Sequence, residues 1–363
     1  MSLRILFVTW QGDMAGSTNS IALLTQKLAE RGHQIYLGIR KESLLWTLME
    51  DTDVERISMT FKGKRALGNI QQIKAVVRQY QIQIVNAQSG RDRYSTIGAK
   101  WFSNLNFKVV HTRRQMPLSH GNPLQLFVYN NGADGVIAVS NQVAQSLAKI
   151  GIRKSKIHVI HNGTAQEKYE HLHYENTEKL RADLQIKKDE FVIGCVSRMK
   201  NQIQILQALT KITEPLTLIF CGIEINETFE QIINSLTTAH KVHFLGEINE
   251  KQILDYYPLF DVSILASIQE GLSQSLLESM ALGIPVIATA AAGNLDLIKD
   301  EVNGLLFENH HIDQLARNIN SIRHNPVLKD RLIKNGKETA LVKFNIENTI
   351  SKYEEYFSKL IAD

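Results

Sequence analysis

The chain alternates short runs of apolar, often β-branched residues with longer stretches in which apolar positions recur at helical spacing. Such alternation is typical of strands in a parallel sheet with helices packed on its faces. The helix over 18–32 is the clearest example, because Ile21, Leu24 and Leu28 share one face and Gly32 follows as a residue that tolerates left-handed backbone. Strands are predicted over residues 4–10, 34–40, 81–88, 108–112 and 135–140 in the first half, and over 190–198, 216–222, 242–247, 261–267, 284–290 and 304–308 in the second.

The pattern stops and then restarts, which predicts two domains. The 363 residues exceed one ordinary domain, at roughly 150 residues per domain. Residues 163–190 are polar, charged and poor in strand formers, so we place the boundary near residue 170. We therefore predict an α/β chain of two Rossmann-like, doubly wound parallel-sheet domains, 1–170 and 171–345, facing a central cleft, with a terminal amphipathic helix over 346–363. In such folds a ligand binds at the carboxyl ends of the strands.

Composition narrows the class of protein. Hydrophobic residues make up 44% and charged residues 21%, which excludes a disordered chain, and 41 basic against 37 acidic residues leave a net charge of +4. That surplus is too small for a dedicated nucleic-acid binder, so no nucleic-acid partner is expected. Cys195 and Cys221 lie in apolar runs and are predicted to be buried, reduced thiols. Since no apolar run has the length of a signal peptide or a membrane span, we expect a cytoplasmic protein.

The most informative chemistry lies in residues 263–298. Glu270 and Gly271 follow a strand and precede a helix, and the free N–H groups at a helix N-terminus bind anions or hydroxyls. Glu278 lies about 8 Å further along the helix axis than Ser273, at about 1.5 Å per residue. Two carboxylates separated in this way can hold two hydroxylated groups of one extended ligand. The alternative is a capping Glu270 and a solvated helical Glu278.

The segment EGLSQSLLESMALGIPVIAT (270–289) resembles the E-x7-E element of the retaining glycosyltransferases of family four, which have the GT-B fold. Leu272 replaces the usual aromatic residue and Ser273 a common glycine. The resemblance implies that Glu270 binds donor-sugar hydroxyls, that the amides of Gly271, Leu272 and Ser273 surround the sugar or phosphates, and that Glu278 holds the nucleotide ribose. It also implies that the last helix crosses back to the first domain. The residues that match the family pattern in register are Glu270, Gly271, Ser273, Glu278, Met280, Ala281, Gly283, Pro285 and Val286.

A second motif, Ser197-Arg198-Met199-Lys200-Asn201, follows the strand predicted over 190–198. A diphosphate leaving group needs fixed positive charge, and Arg198 offers a planar fork of donors while Lys200 offers a point charge. The family's motif has several residues between its two cations, so this chain is interpreted as having a contracted loop. The alternative is a pair of solvated cations at a strand end.

The resemblance implies roles for four further residues. Backbone atoms around Phe244 and Leu245 would bracket the nucleotide base. Gly16, in the loop after the first strand, would approach the donor phosphate and the acceptor, although a tight strand-to-helix turn explains it equally. His111 would lie beside the reacting sugar or shape the acceptor pocket, with a structural histidine as the alternative.

Charged and aromatic residues of the first half remain open to two interpretations. Arg113 and Arg114 are either solvated or meet an acidic or phosphorylated acceptor. A basic loop contains Lys62, Lys64 and Arg65, and the helix-like stretch 44–49 contains Trp46. The two segments are either a solvated loop beside a buried helix, or a peripheral contact with the inner face of an anionic membrane.

Together these features predict a glycosyltransferase that moves a sugar from a nucleotide-diphosphate sugar to a glycan or lipid-linked hydroxyl acceptor in cell-surface polysaccharide or lipopolysaccharide synthesis. The resemblance implies retention of anomeric configuration. No metal or other cofactor is expected to be required, because the D-x-D of Asp51 and Asp53 does not follow a strand and Arg198 and Lys200 supply positive charge. The alternatives are a two-lobed sugar- or nucleotide-binding protein without transferase activity and a GT-B-fold nucleotide-sugar epimerase.

Overall fold

The chain divides into two units, each built on one parallel sheet. The computed structural model describes residues 2–13, 16–61, 67–90, 92–117, 122–170 and 174–362. The first unit comprises Met1–Gly163 with Ile346–Asp363, and the second comprises Thr164–Asn345. The division therefore lies a few residues before the predicted boundary near 170. Its cause is local, since the Thr164 amide donates to the Phe344 carbonyl at 2.9 Å and so draws the start of the polar stretch into the second unit.

The first unit has a seven-stranded sheet in the order β3-β2-β1-β4-β5-β6-β7, with every neighbouring pair parallel. Its strands are β1 (Arg4–Val8), β2 (Gln34–Ile39), β3 (Glu55–Ser58), β4 (Ile84–Ala87), β5 (Lys108–Arg113), β6 (Gly135–Ala138) and β7 (Ile157–Val159). Its first helices are α1 (Gly16–Glu30), α2 (Leu44–Leu48), α3 (Leu67–Gln79), α4 (Asp92–Trp101), α5 (Pro123–Gly132) and α6 (Asn141–Lys149). Gly32 has φ +87° directly after α1, as the helix-ending position requires.

The second unit has a six-stranded sheet in the order β10-β9-β8-β11-β12-β13, again parallel throughout. Its strands are β8 (Val192–Val196), β9 (Thr217–Cys221), β10 (Lys241–Phe244), β11 (Val262–Leu265), β12 (Val286–Thr289) and β13 (Leu305–Phe307). Its helices are α7 (Tyr174–Asp183), α8 (Ile203–Leu209), α9 (Glu227–Asn234), α10 (Glu250–Tyr256), α11 (Gln274–Ala281), α12 (Asn294–Leu297), α13 (Ile312–His324) and α14 (Pro326–Glu338). The prediction of two doubly wound parallel sheets is confirmed.

The last helix, α15 (Ile346–Ala362), packs on the first unit. Its residues Ile350, Tyr353 and Phe357 are buried, with 0, 1 and 0% exposure. The Thr349 hydroxyl also donates to the His161 carbonyl at 2.9 Å. Burial of three large side chains on one face ties this helix to the unit that contains the N-terminus.

Two strands of the first sheet lie outside the ranges that hydrophobic patterning predicts as strands. Both β3 (ERIS) and β7 (IHV) are edge strands whose residues are at most half-buried. An edge strand covered on one side needs no continuous apolar run, so hydrophobic patterning cannot reveal it. The buried strands between them all follow apolar runs that the pattern identifies.

Candidate functional site

The site begins where the strand order of the second sheet reverses. Chain connections leave β8 toward β9 on one side and β11 toward β12 on the other, while β8 and β11 are direct neighbours. Loops that follow such a pair diverge and leave a crevice at the carboxyl edge of the sheet. The loop after β8 carries Arg198 and Lys200, and the loop after β11 carries Glu270. The Asn201 amide joins the two loops by donating to the Ala266 carbonyl at 3.0 Å.

The loop after β11 is held closely against the start of α12. The Gly293 amide donates to the Glu270 carbonyl at 3.1 Å. A Cβ atom at Gly293 would lie 1.8 Å from the Gly271 carbonyl oxygen, so only glycine permits this approach. Buried Asn294 adds bonds from its amide nitrogen to the carbonyls of Ser267 and Thr289 at 3.3 and 3.0 Å. Glu270 is therefore presented from a rigid turn.

Ser273 begins the helix that carries Glu278. It is the N-cap of α11, and its hydroxyl accepts the Leu276 amide at 3.3 Å. The cap satisfies one of the free N–H groups at this helix end and leaves the amides of the preceding turn, from Gly271 to Ser273, beside Glu270. Leu272 is 6% exposed and packs in the core, which explains why an apolar residue stands at this position of the motif.

The loop after β8 is organised by Gln202, a residue that sequence reasoning missed. Its side chain is 1% exposed and lies under the loop. The amide nitrogen donates to the Ser197 hydroxyl and to the Arg198 carbonyl, both at 2.8 Å, and the amide oxygen accepts the Lys200 amide at 2.5 Å. Three bonds from one buried side chain thus fix the backbone of both candidate cations. No motif reveals this role, because it depends on the way the contracted loop folds back on α8.

Lys200 and Glu270 meet across the two loops. Lys200 Nζ lies 3.3 Å from Glu270 Oε1, and the two side chains are 29% and 18% exposed. Arg198 is exposed and forms no ion pair within the described ranges. The structure therefore brings Glu270, Lys200 and Arg198 to one edge of one sheet, with an arginine fork available to an anion.

Glu278 is 9% exposed and has two partners on opposite sides. Lys168 Nζ lies 2.7 Å from its Oε1, and the Tyr257 hydroxyl donates to its Oε2 at 2.7 Å. Burial, and then the Glu278 charge, raise the pKa of Tyr257 well above its usual range, so this hydroxyl stays a donor. Lys168 lies in the polar stretch taken for a linker and was not predicted as a site residue. Each carboxylate oxygen retains a second lone pair for a ligand.

Phe244 and Leu245 lie at the end of β10, the outer strand of the second sheet. The Phe244 ring stacks on Phe220 and Phe229 with centroids 4.9 and 5.5 Å apart, so it is part of the core. The Leu245 amide donates to the Phe220 carbonyl at 3.0 Å. A base at this segment would therefore be recognised through other backbone atoms.

The remaining predicted residues lie in the first unit. Gly16 is exposed and is the first residue of α1. His111 lies on β5 and is 0% exposed, with Nε2 3.3 Å from the Thr96 hydroxyl. Burial, and then the charges of Arg93 and Arg113, lower the pKa of His111 well below 6.5, so its ring is neutral. The roles assigned to Gly16 and His111 stay predictions.

Features considered for a membrane contact are only partly described. Lys62, Lys64 and Arg65 lie outside the described residues. On α2, Leu44 and Leu48 are each 38% exposed, and Arg56 lies over the Trp46 ring at 4.8 Å. Among the helices of the described ranges, none has the length and apolar character needed to cross a bilayer.

Two family models match the chain, one in each half. The model described as Glycosyltransferase Family 4 matches residues 14–168, and the model described as Glycosyl transferases group 1 matches residues 176–339. The two matches leave uncovered only the ends of the chain and a short stretch between them. Both candidate loops and both E-x7-E glutamates fall in the second match.

Individual proteins are similar over most of the chain. EpsD of Bacillus subtilis, which is named as a glycosyltransferase, is 28% identical over 79% of this chain and 79% of its own length. Alpha-monoglucosyldiacylglycerol synthase of Streptococcus pneumoniae is 26% identical over 86% of this chain and 76% of its own. The crystal structure of Anabaena Alr3699/HepE in complex with UDP-glucose has a TM-score of 0.84 at 22% identity, covering 98% of this chain and 99% of that one. The likeness shows the predicted fold class, GT-B with its two Rossmann-like domains.

Proposed function

Since the chain belongs to the family 4 and group 1 glycosyltransferases, we propose that it transfers a sugar from a nucleotide-diphosphate sugar to a hydroxyl acceptor with retention of configuration. The observation that carries the proposal is the junction of two loops at the point where the second sheet reverses its strand order. There Lys200 lies beside Glu270 and Arg198 is exposed on the same loop as Lys200, and two cations with a hydrogen-bond acceptor are the groups that a sugar diphosphate requires.

Each group of the donor has a chemical counterpart in the second unit. The guanidinium of Arg198 and the ammonium of Lys200 stabilise the negative charge that grows on the diphosphate as the glycosidic bond breaks. Glu270 accepts hydrogen bonds from sugar hydroxyls, and the amides from Gly271 to Ser273 donate to the sugar or phosphate oxygens. Glu278 accepts the ribose hydroxyls with the lone pairs that Lys168 and Tyr257 leave available.

In a single displacement step, retention requires that the acceptor attack on the face from which the diphosphate leaves. The leaving phosphate oxygen then takes the acceptor proton, and the new glycosidic bond forms as the bond to phosphate breaks. This route needs no separate protein base. Arg198 and Lys200 hold the phosphate in the position where it accepts that proton.

The first unit is proposed to bind the acceptor, a glycan or a lipid-linked sugar of cell-surface polysaccharide synthesis. The similarity of the chain, over 86% of its length, to a synthase named for a glucosyl diacylglycerol supports a lipid-linked acceptor class. The exposed Leu44 and Leu48 on α2 support a peripheral contact with an anionic membrane. Cosedimentation with vesicles of anionic lipid tests this contact, and Leu44→Ser with Leu48→Ser should release the protein into the supernatant.

The diphosphate is proposed to be neutralised by side chains rather than by a required divalent metal. Two cations and the free amides before α11 supply positive charge at the site. Transfer measured with excess EDTA should therefore equal transfer measured with added magnesium. A loss of transfer that only a divalent ion restores would contradict this part of the proposal.

The decisive experiment is calorimetry with a panel of nucleotide-diphosphate sugars, beginning with UDP-sugars because a solved structure of the same fold contains UDP-glucose. Binding should require the diphosphate, and Arg198→Ala should weaken it at least about tenfold, as expected for the loss of a charge-assisted bond. Arg317→Ala, on the exposed face of α13, is the control.

Tight binding of free sugar with no effect of any nucleotide would contradict the transferase and support a sugar-binding protein. Conversion of the nucleotide sugar, without any acceptor, into an epimer that keeps its nucleotide would support an epimerase.

A further inference from the structure

Two partly buried arginines of the first unit lack the counter-ions that buried cations normally have. Arg113 is the last residue of β5, and Arg93 lies in the first turn of α4. The Nε atoms of both are buried and make no hydrogen bond. Within the part of the chain that the structure describes, neither guanidinium forms an ion pair. A guanidinium stays charged in a protein, and burial without a counter-charge is unfavourable.

The two charges lie close enough to act on each other. Burial, followed by the charge of Arg93, lowers the pKa of Arg113 to about 10. The neighbouring carboxylate of Asp92 is influenced by the charge of Arg93 but forms no ion pair with it within the described residues, and its two oxygens accept the amides of Trp10 and Ser89, each at 3.0 Å. The guanidinium groups of Arg93 and Arg113 therefore have no carboxylate counter-ion among the described residues.

Arg113 lines a cavity of about 50 Å³. A water needs only roughly 10–15 Å³ of such space, so the cavity has room for a larger group. His111, Gln125 and Tyr129 also line it, and the rest of its wall is mainly apolar. His111 is 0% exposed with no partner for Nδ1, and its ring meets Tyr129 edge-on with centroids 5.6 Å apart. The Thr96 hydroxyl donates to the Arg93 carbonyl at 2.9 Å and therefore accepts from Nε2–H of His111, so Nδ1 of the neutral ring is an acceptor. The Gln125 amide is the neutral donor that accompanies the guanidinium.

We propose that this cavity binds an oxyanion group, phosphate or carboxylate, of the acceptor. The inference rests on the proposed function, in which the first unit takes the acceptor. Arg113 ends β5 at the carboxyl edge of the first sheet, the edge where α/β sheets bind ligands. Arg198 and Lys200 already account for the donor diphosphate, so a second cationic site serves a different anion. The arginine fork matches the oxygens of a phosphate or a carboxylate in a way that a water does not.

Calorimetry with two small anions tests the site apart from donor binding. Pyrophosphate and malonate are titrated separately into the full chain carrying Arg198→Ala and Lys200→Ala, which removes the donor cations. Arg113→Gln is then added to that background. We expect one anion to bind the background protein and to bind at least about tenfold more weakly after Arg113→Gln. Tighter binding of pyrophosphate assigns a phosphate-bearing acceptor, and tighter binding of malonate assigns a carboxylate-bearing one.

The matched control is Arg78→Gln, which removes an exposed arginine from α3 of the same unit and should leave anion binding unchanged. Arg93→Gln is the second test variant and should also weaken binding, which keeps the proposal testable if Arg113→Gln does not fold. Binding that neither substitution weakens, or no binding of either anion to the background protein, would overturn the proposal. Because the background lacks the donor cations, this result is independent of whether the chain uses a nucleotide sugar.

Discussion

The ammonium of Lys200 lies 3.3 Å from the carboxylate of Glu270, although 70 positions of sequence separate the two residues. The pair forms because β8 and β11 are neighbours in the sheet and their loops are joined through Asn201 and Ala266. With both side chains partly exposed, the ion pair itself contributes little stability. The ion pair instead positions a cation and a hydrogen-bond acceptor side by side, where one sugar phosphate would contact both.

Glu270→Ala should abolish most transfer and leave the fold intact. The side chain is partly exposed, so its loss removes little packing, while the sugar loses charge-assisted hydrogen bonds of roughly 1.5–3 kcal/mol, or about 10- to 150-fold in rate. The measurement is the transfer rate at saturating donor, with thermal unfolding as the check on folding. Glu338→Ala, at the exposed last residue of α14, is the control. Turnover near that of the unmodified chain would rule out Glu270 as a donor-sugar ligand.

Much of the second unit could be predicted because its site lies on buried strands. Strands β8 and β11 are buried and mostly apolar, and the motifs with Arg198 and Glu270 come next in the sequence. What could not be predicted are contacts that depend on the path of a loop. Gln202 lies beneath its own loop, and Lys168 reaches Glu278 across 110 positions. Hydrophobic periodicity predicts neither the bonds of Gln202 nor the contact between Lys168 and Glu278.

Gln202→Met should weaken binding of a nucleoside diphosphate and leave binding of the monophosphate unchanged. The substitution keeps the length of the side chain but removes the three bonds that fix Arg198 and Lys200. Because these residues are proposed to contact the diphosphate, only the contribution of the second phosphate should fall, by roughly tenfold. Calorimetry with UDP and UMP measures both affinities.

This readout separates a positioning role from a structural one. General loss of packing would lower both affinities together, and such a result would contradict the proposed role of Gln202. Gln207→Met is the matched control, since Gln207 is a partly exposed residue of the same helix. Gln202→Glu should resemble Gln202→Met, because a carboxylate cannot donate to the Arg198 carbonyl.

Tyr257→Phe should destabilise the second unit although it removes only one oxygen atom. The hydroxyl is buried and donates to Glu278 Oε2 at 2.7 Å, so the substitution leaves a nearly buried carboxylate oxygen without a donor. We expect the free energy of unfolding to fall by about 1–3 kcal/mol. Denaturant unfolding followed by circular dichroism measures this loss.

The control for that experiment is Tyr356→Phe in the first unit. The Tyr356 hydroxyl is buried as well but makes no hydrogen bond, so its removal should be close to neutral. Equal losses from both substitutions would mean that the Glu278 contact contributes no more than the volume of an oxygen atom. In that case Tyr257 would have no part in fixing the carboxylate proposed to bind ribose.

The first unit should show a pH-dependent stability that originates at Asp92. Burial raises the pKa of this carboxyl from 3.8 to about 6, and the amides of Trp10 and Ser89 only partly oppose the rise. Between these values the folded chain binds more protons than the unfolded chain, so the contribution is fully present below about pH 4 and is lost as the pH rises through 6. At 1.36 kcal/mol per pKa unit the full difference is about 3 kcal/mol, of which about 2 kcal/mol is lost between pH 4 and pH 7. Asp92→Asn cannot titrate, so the stability of the unmodified chain relative to this variant should fall by that amount over the same interval. Denaturant unfolding at pH 4, 5, 6 and 7 measures the difference, and parallel profiles for the two chains would show that Asp92 keeps an ordinary pKa.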